Sequence, residues 1–596
     1  MNIIRPLLSL APKPRRRRPA RRVSPLHRRP ARRVSPLLPA CALLVCAVAC
    51  GTSSRAQTPA PDAALGERIY REGVLPGGGS VRATVQGDVE VEGTQFNCAT
   101  CHRRSGFGTS EGAAFVPPVT GSALYREKEP RAADLFRRLF QEVQPKRFRA
   151  RVRDPRPRPA YTDETLAAAL RGFDPTGREL EPLMPRYRLG AQDAAHLIAY
   201  LKSLSDAPAP GVSRTTIHFA TVVPENIEPG KRRALLDVMH AYVRWKNADT
   251  ARLLRRPAPT AWYQEDVNET YREWALHVWE LKGRAETWPA QLDALYRAQP
   301  VFALLGGIGE GDWQPVHDFC ERSEVPCLFP QTDRPVVSNE GAYAVYFTKG
   351  LTVEAESLAR HLLEEARAGA RPRIVQVYRD EEGGLALARA FARAFGAGKA
   401  SDVRERVIRG AQKLTPGFWQ NILEGERPTA LVLWLDAEDL RTLDALPLAA
   451  RTAPRIYLSY GLLQDAAPPR SLQSIGDQVY LTYPYALPQA ETPHVYRVRA
   501  WLRSRGVKGL HERVQLNAYF ALAVADHALM RLAGNFSRDY FIETVEHETE
   551  NALNPGVFPR LSLGPGQRFA SKGSYIVKLS DGAPGRLDPA SGWIIP

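Results

Sequence analysis

The chain has 596 residues, too many for one ordinary domain, and 44% of them are hydrophobic, as in a globular protein. Lysine and arginine outnumber aspartate and glutamate by 81 to 64, but residues 1–56 hold 13 of the basic residues and no acid. The remainder therefore carries a net charge of only +4. This removes the charge argument for nucleic-acid binding, and we expect no nucleic-acid partner.

Residues 1–56 resemble a secretory leader. A basic segment precedes a short apolar run, Leu37 to Cys50, which is too short to span a bilayer. This order predicts a signal peptide and a periplasmic location in a Gram-negative cell. A cleavage site ending at Ala56 predicts soluble release, whereas the residues before Cys50 resemble a lipoprotein box. Membrane attachment through a lipid on Cys50 therefore stays open as the alternative.

The sequence Cys98-Ala99-Thr100-Cys101-His102 has the Cys-x-x-Cys-His pattern that attaches a c-type haem. The two thiols can add to the haem vinyl groups, and His102 can then bind the iron from one face. A zinc site or a redox-active cysteine pair is the alternative, but zinc needs further ligands and none lies nearby in the sequence. The motif therefore predicts one covalent haem c.

Met184 is the predicted second axial ligand of the iron. The chain has four methionines, and only this one lies in the segment that follows the haem motif. Pro185 comes next and disfavours helix at Met184, which suits a ligand-bearing loop. His196 is the alternative ligand, but it lies in an apparent amphipathic helix. Histidine and methionine ligation fills both axial positions, so we expect electron transfer rather than enzyme activity.

A Pro/Ala-rich linker at 207–213 divides the chain into a haem domain, 57–206, and a second domain, 214–580, followed by a C-terminal tail, 581–596. An insertion in the haem domain predicts one helix, Arg131–Glu142. The second domain alternates between strand and helix patterns, which predicts parallel α/β layers. Its predicted strands are 216–223, 301–305, 326–329, 373–378, 430–435, 455–459 and 575–579, and its predicted helices are 231–245, 313–322, 352–368, 385–395, 437–443, 515–532 and 537–550.

Four cysteines remain after the leader. Two belong to the haem motif, and the others, Cys320 and Cys327, lie seven positions apart. An oxidising compartment favours a disulfide between them, which would join a helix end to the next strand. Two buried thiols are the alternative.

The first domain resembles the class I cytochromes c. The residues that carry the resemblance are the Cys-x-x-Cys-His motif, the Met184-Pro185 pair with Arg186 and Tyr187 behind it, and the closing helix through Leu204. The resemblance implies an all-α haem domain with His102 and Met184 as axial ligands. The insertion is a departure from the family pattern.

Residues 214–580 look like a type 1 periplasmic binding protein, of the kind that serves branched-chain amino-acid ABC transporters. The segments that carry this similarity are Val301–Gly309, Val325–Pro330 and Ile374–Asp380, with Gly383-Gly384 before a helix. It implies a two-lobed α/β domain that closes on a small ligand near the carboxyl ends of its strands.

The implied ligand cleft does not match the family pattern cleanly. The family uses hydroxyl groups and helix-start N–H groups, but the first such loop here has two acids, Glu310 and Asp312, which are equally well explained as helix caps. Each of the other positions is individually well explained by packing or turn chemistry. The candidate ligand residues at strand ends are Gly307, Asp312, Trp313, Thr332, Tyr378, Asp436 and Tyr460.

The leading functional hypothesis is a periplasmic electron-transfer protein with a ligand-binding or partner-docking domain. Its redox partner would be a periplasmic dehydrogenase or a respiratory-chain cytochrome. The alternative is a substrate-binding receptor of an ABC transporter that carries an accessory haem. A peroxidase is disfavoured because both axial positions are filled.

Overall fold

The computed structural model describes residues 60–596 apart from 112–113, 129–157, 206, 256–269, 339–340, 370–371, 398–402, 447, 449–452, 464–467, 491, 533 and 580–586. The predicted leader with its lipoprotein box, and the predicted helix Arg131–Glu142, lie outside the described residues. Within the described ranges, no helix is long and apolar enough to cross a membrane. Residues 60–596 belong to one compact unit.

The described residues between 60 and 205, called here the haem-motif part, contain both helices and strands. The expectation of an all-α domain is therefore not met. Two strands pair antiparallel across a three-residue loop in which Gln86 and Gly87 have φ of 55° and 98°. These two segments favour the β conformation because β-branched and small residues alternate with charged ones along them. The helices are Ala63–Glu72, Cys98–His102, Gly121–Leu124, Asp163–Leu170 and Ala191–Ser203; the strands are Arg82–Val85, Val89–Glu92, Thr109–Glu111, Ala114–Val116 and Arg186–Arg188.

The first and last helices of this part cross at Gly66. A Cβ atom at Gly66 would lie 2.0 Å from the carbonyl oxygen of His196, so only glycine allows this approach. Next to the crossing, the backbone N–H of Asp62 donates to Nδ1 of His196 over 2.8 Å. The crossing encloses an apolar core that includes Ile69 and Leu197.

The first parallel sheet has five strands. Their spatial order is Ala344–Val345, Cys327–Leu328, Ala303–Leu305, Thr216–Pro224 and Glu273–Leu281. A short parallel pair, Ile308–Gly309 with Gln331–Thr332, extends from its carboxyl edge. The helices of this region are Pro229–Arg255, Trp288–Ala298 and Gln314–Arg322, with a 3-10 turn at Ala285–Thr287.

The second sheet has seven strands, of which the first five are parallel. Their order is Val403–Ile408, Ile374–Arg379, Ala430–Trp434, Arg455–Ser459 and Val479–Tyr483, followed by antiparallel Tyr575–Lys578 and Asp588–Pro589. The predicted parallel α/β architecture is therefore confirmed. Its helices are Leu351–Arg367, Glu382–Ala397, Pro416–Gln420, Asn421–Glu426, Ala437–Leu440, Arg441–Ala445, Tyr460–Leu463, Arg470–Gln473, Gly476–Gln478 and Pro488–Ala490.

The chain returns to the first sheet after Tyr483. Three helices, Pro493–Ser504, Glu512–Leu532 and Arg538–Asn551, contribute buried side chains to the core of the first sheet rather than the second. The second sheet has its own apolar clusters on its two faces. Each sheet therefore has a separate core, and the chain crosses between the two sheets more than once.

The predicted linker and the described residues of the predicted tail, 587–596, are packed in the structure. The N–H of Ala209 donates to the carbonyl oxygen of Phe536, and a Cβ atom at Gly211 would lie 2.3 Å from the backbone nitrogen of Phe302. At the other end, Asp588–Pro589 forms the outer strand of the second sheet. Cys320 and Cys327 are joined by a disulfide, which ties the helix Gln314–Arg322 to the following strand.

Candidate functional site

The Cys-x-x-Cys-His motif forms one helical turn, Cys98–His102. Asn97 starts this turn, and its side-chain oxygen accepts the N–H of Thr100 over 2.9 Å, which satisfies one of the N–H groups that a helix start leaves open. Cys98 is buried and Cys101 is exposed. Burial raises the pKa of the Cys98 thiol to about 11, so this sulfur is protonated at neutral pH.

His102 is oriented through one ring nitrogen. Its Nδ1 lies 2.9 Å from the carbonyl oxygen of Pro117. A carbonyl only accepts, so Nδ1 carries the hydrogen and Nε2 keeps its lone pair for a metal. Burial lowers the pKa of His102, which favours the neutral imidazole that metals bind.

Residues 103–108 follow the motif that predicts haem attachment; this segment, called here the haem-attachment loop, folds back on the motif. The N–H of Gly108 donates to the carbonyl oxygen of His102 over 3.0 Å, and the hydroxyl of Tyr70 donates to the carbonyl oxygen of Arg103 over 2.7 Å. Gly108 has φ of 76°, and a Cβ atom there would lie 2.1 Å from the carbonyl oxygen of Val116. The backbone of His102 is thus held by a loop with little freedom.

Met184 lies in a clamped turn. Its N–H donates to the carbonyl oxygen of Glu181, and the Arg186 guanidinium donates to the carbonyl oxygens of Met184 and Leu180 over 2.7 and 2.8 Å. Arg186 fits only because residue 172 is glycine, since a Cβ atom there would lie 2.1 Å from Arg186 Nε. Arg186 is part of the cytochrome resemblance in the sequence, but its hydrogen bonds to the Met184 turn were not predicted.

These residues fit a covalently attached haem. Met184 packs at the margin of the same apolar cluster that contains Cys98, whereas His196 accepts from the Asp62 N–H and serves the helix crossing. The haem-motif part also exposes large apolar side chains, which a haem packed there could cover. They are Val89, Phe96, Phe173 and Leu183. Among the described residues, no cluster of three or more His, Cys, Asp or Glu could hold a metal ion.

Four of the predicted ligand residues come together at the carboxyl edge of the first sheet. The pairing of Ile308–Gly309 with Gln331–Thr332 brings Thr332 beside the loop that contains Gly307. Trp313 is buried against this loop, since a Cβ atom at Gly309 would lie 2.4 Å from its ring.

The two acids of this loop are both engaged. Asp312 accepts the N–H of Gln314, the first residue of the helix Gln314–Arg322, over 2.9 Å, and Glu310 forms an ion pair with Lys231 over 2.8 Å. Trp313 holds the N-cap position of this helix and makes no side-chain cap, so neither acid is its N-cap residue. Because Glu310 is paired with a lysine and Asp312 accepts a backbone N–H, these two carboxylates repel an anionic ligand less strongly than free carboxylates would.

Two other predicted ligand residues serve local structure. The hydroxyl of Tyr378 donates to Glu405 over 3.1 Å, and Glu405 lies on the outermost strand of the second sheet. Asp436 caps the helix Ala437–Leu440 by accepting the N–H of Asp439 over 2.9 Å.

Tyr460 belongs to an aromatic cluster at the carboxyl edge of the second sheet. Its ring centroid lies 4.8 Å from that of Tyr483 and 5.8 Å from that of Tyr485. The guanidinium carbon of Arg513 lies 4.0 Å from the Tyr485 ring centroid, and the guanidinium donates to the Tyr460 hydroxyl over 3.0 Å. Arg513 starts a helix that packs on the first sheet, so this Arg–Tyr cluster joins the two sheets.

A buried carboxyl group supports the Tyr460 turn. Glu354 is 2% exposed and accepts from the hydroxyls of Ser459 and Thr482 over 2.8 and 2.6 Å and from the N–H of Gly461 over 3.1 Å. Burial raises the pKa of Glu354 to about 7, although the three donors oppose the shift. The sequence did not predict a role for this residue, because an acid in the first turn of a helix is common.

Thr332 at the edge of the first sheet and Tyr460 at the edge of the second sheet lie on either side of one junction. The N–H of Leu351 donates to the carbonyl oxygen of Asp333, the neighbour of Thr332. A Cβ atom at Gly461, the neighbour of Tyr460, would lie 2.5 Å from the Leu351 side chain. Leu351 therefore contacts both the neighbour of Thr332 and the neighbour of Tyr460. Tyr483, Tyr485 and Arg513 were not predicted from the sequence. The two tyrosines lie at or just after the end of the strand Val479–Tyr483, whereas Arg513 lies in a helix and has no local signal.

No family model and no curated protein matches this chain. Solved structures with a similar fold include a fatty acid ABC transporter substrate-binding protein from Thermomonospora curvata, at 14% identity and a TM-score of 0.45 over 65% of this chain and 95% of that one. A leucine-binding protein from Thermotoga maritima matches at 14% identity and a TM-score of 0.43, over 64% of this chain and 99% of that one.

A branched-chain amino acid ABC transporter protein from Thermus thermophilus with bound valine matches at 12% identity and a TM-score of 0.44, over 65% of this chain and 98% of that one. With TM-scores below 0.5, the fold description rests on the sheet order given above. That order defines a mixed α/β protein with two largely parallel sheets.

Proposed function

We propose that residues 214–580 bind a small molecule at the junction of the two sheets, and that the chain is a periplasmic substrate-binding receptor to which a haem c domain is attached. The observation that carries this proposal is the Arg–Tyr cluster. Tyr460 follows a strand of the second sheet, at a carboxyl end of the kind where α/β proteins bind ligands, and Arg513 reaches it from the first turn of a helix packed on the first sheet.

The chemistry of the junction favours a small carboxylate, preferably one with a flat apolar part. Arg513 offers a guanidinium that matches a carboxylate, and the Tyr460 and Tyr485 rings offer flat apolar surface. The acids on the opposite loop are engaged with Lys231 and with a helix N–H. Delivery to a membrane permease would be the receptor's task.

A thermal-shift screen of the full chain against small carboxylates tests the proposal, because a ligand that binds only the folded state stabilises it by mass action. Arg513→Gln should weaken binding at least about tenfold, as expected when a charged hydrogen bond is lost. Arg503→Gln, on an exposed position of the preceding helix, is the matched control and should bind normally. Equal binding by both variants would contradict the proposed site.

A second candidate function, electron transfer, is favoured by the geometry of His102. Its Nδ1 is held by Pro117 and its Nε2 keeps the lone pair, while Cys98 and Cys101 lie on the same helical turn. A bound haem would supply a one-electron iron couple. Cys98 and Cys101 would hold it covalently, and His102 and Met184 would occupy the axial positions.

Reduction by a periplasmic donor separates the two candidates. An electron carrier should exchange electrons with a dehydrogenase or a respiratory-chain cytochrome at least as fast as that partner turns over. A receptor with an accessory haem should bind its ligand tightly and reduce slowly. Stopped-flow reduction of the exported chain, with and without the carboxylate found in the screen, measures this directly.

A further inference from the structure

The helix Arg538–Asn551, called here the interface helix, is fixed on the first sheet. Phe541 and Val545 belong to the core of that sheet. The Arg538 guanidinium is buried and also donates to the hydroxyl of Tyr296 over 2.9 Å. It further donates to the backbone carbonyl oxygens of Pro210, Val301, Phe302, Ser323 and Glu324. Because so many donors are satisfied by the sheet and linker, this helix is a rigid platform.

The opposite face of the interface helix contacts the haem-attachment loop. Both carboxylate oxygens of Glu543 are engaged by Ser105, one by its N–H over 2.9 Å and the other by its hydroxyl over 2.6 Å. Ser105 is only 4% exposed. A carboxylate that accepts two hydrogen bonds from one buried residue fixes both the position and the orientation of that residue.

Asp539, one turn earlier, makes the second polar contact. It pairs with Arg104 over 3.1 Å and with Arg71 over 3.7 Å, and it accepts from the Tyr343 hydroxyl over 2.7 Å. These side chains are 19–28% exposed where the ion pairs form. The contacts are therefore partly shielded from solvent, which strengthens them relative to surface pairs.

An aromatic contact lies between the two polar ones. The Phe107 ring stacks on that of Tyr540 with centroids 4.7 Å apart. Asp539, Tyr540 and Glu543 share one helix face, since residues three and four apart are neighbours on a helix. Arg104, Ser105 and Phe107 meet this face along a single loop.

We propose that the Asp539–Tyr540–Glu543 face positions the haem-attachment loop, so that the α/β part of the chain sets the environment of the axial ligand His102. The loop transmits this constraint directly, because Gly108 at its end donates to the carbonyl oxygen of His102. The inference rests on the haem attachment proposed above. It makes Glu543 and Asp539 positioning residues.

The charge of Glu543 gives the proposal a pH-dependent consequence. Burial raises the pKa of Glu543 to about 7, and Asp539 and Glu546 add to the shift. Above that pH the carboxylate is charged, and its negative charge would favour the ferric over the ferrous state of a bound haem. The titratable and charged groups around it are Asp539, Tyr540 and Glu546 on its own helix, and Tyr70, Arg71, Arg103 and Arg104 on the haem-motif part.

Two variants of the full chain test the proposal. Glu543→Ala removes both acceptors, and deuterium uptake by the amides of residues 103–108 should become about tenfold faster. Glu543→Gln keeps the shape and removes the charge, so the haem reduction potential should rise above pH 7 and match the wild type well below it. Ser105→Ala, which removes one of the two donors, should show a smaller increase in deuterium uptake than Glu543→Ala.

Glu550→Gln is the matched control, since Glu550 lies on the same helix, is exposed and pairs with Arg560. It should leave both measurements unchanged. Deuterium uptake that is equal in Glu543→Ala, Glu550→Gln and the wild type would overturn the proposal, as would a Glu543→Gln potential that matches the wild type at every pH. Deuterium uptake does not need haem, so loss of docking can be distinguished from a failure of haem attachment.

Discussion

At the scale of single residues, the two predicted iron ligands of the haem-motif part, His102 and Met184, are each held in place by hydrogen bonds to backbone carbonyl oxygens. His102 is held through Nδ1, and Met184 lies in a turn that Arg186 clamps. In both cases a side chain contacts a backbone carbonyl oxygen. His102 and Pro117 are 15 positions apart in the sequence, and Arg186 and Met184 lie close together in one turn. A motif identifies the predicted ligands but cannot show what orients their side chains.

Met184→Ala should open one axial position of the iron. Added imidazole should then bind, and the reduction potential should fall, because thioether ligation raises it. Absorption spectroscopy with an imidazole titration measures this. His196→Ala is the control: it should weaken the helix crossing but leave the iron ligands intact. If His196→Ala opens the iron and Met184→Ala does not, the assignment is wrong.

Glu354 should make the protein less stable as pH rises. Its pKa is about 7 in the folded state against an ordinary value of 4.5. The folded state therefore binds more protons between these values, and the stabilisation present below pH 4.5 is lost as pH rises through about 7. The difference corresponds to a contribution on the order of 3 kcal/mol.

Glu354→Gln should remove this dependence. The fall in Tm between pH 5 and pH 8 should be smaller in the variant than in the wild type when measured by scanning calorimetry. Glu356→Gln, two positions along the same helix and paired with Lys349 at the surface, is a suitable control. An unchanged fall in Glu354→Gln would contradict the burial argument.

At the scale of elements, most long helices and central strands follow from sequence periodicity. The predicted helix 352–368 is observed as Leu351–Arg367, and the predicted strand 455–459 as Arg455–Ser459. The strands that were not predicted include Glu273–Leu281, Val403–Ile408 and Val479–Tyr483. The edge strand Val403–Ile408 alternates with charged residues that face solvent, so it has no apolar run to detect.

The small sheet of the haem-motif part was also missed. Arg82–Val85 and Val89–Glu92 are four residues each, and both were assigned to an all-helical unit because of the cytochrome resemblance. The proposed binding site at the junction of the two sheets was predicted only in part. Tyr460 was identified, but Arg513 reaches it from a helix 53 positions away, and a tertiary contact of this kind has no local signal.

The disulfide stabilises the junction of one helix and one strand. Replacing Cys320 and Cys327 by serine should cost about 2–3 kcal/mol by the loop-entropy estimate. Thiol labelling of the denatured, unreduced chain should leave both cysteines unmodified. Quantitative labelling of both residues would refute the bridge in the exported protein.

At the scale of the whole molecule, the linker and the interface helix bear on how separable the two parts are. The Pro/Ala-rich linker suggests two independently folding units, but Ala209 and Pro210 are hydrogen-bonded to the α/β part. A fragment ending near residue 206 would expose Ser105 and Phe107 to water. Such a fragment should bind haem but show faster deuterium uptake at 103–108 than the full chain.

Native mass spectrometry of the exported chain with small carboxylates tests the central claim most directly. The account predicts a species that carries one haem, retained after denaturation on the peptide with Cys98 and Cys101, and one exchangeable carboxylate that Arg513→Gln fails to hold. A chain whose haem leaves on acid-acetone extraction, or one that binds no carboxylate, would contradict it.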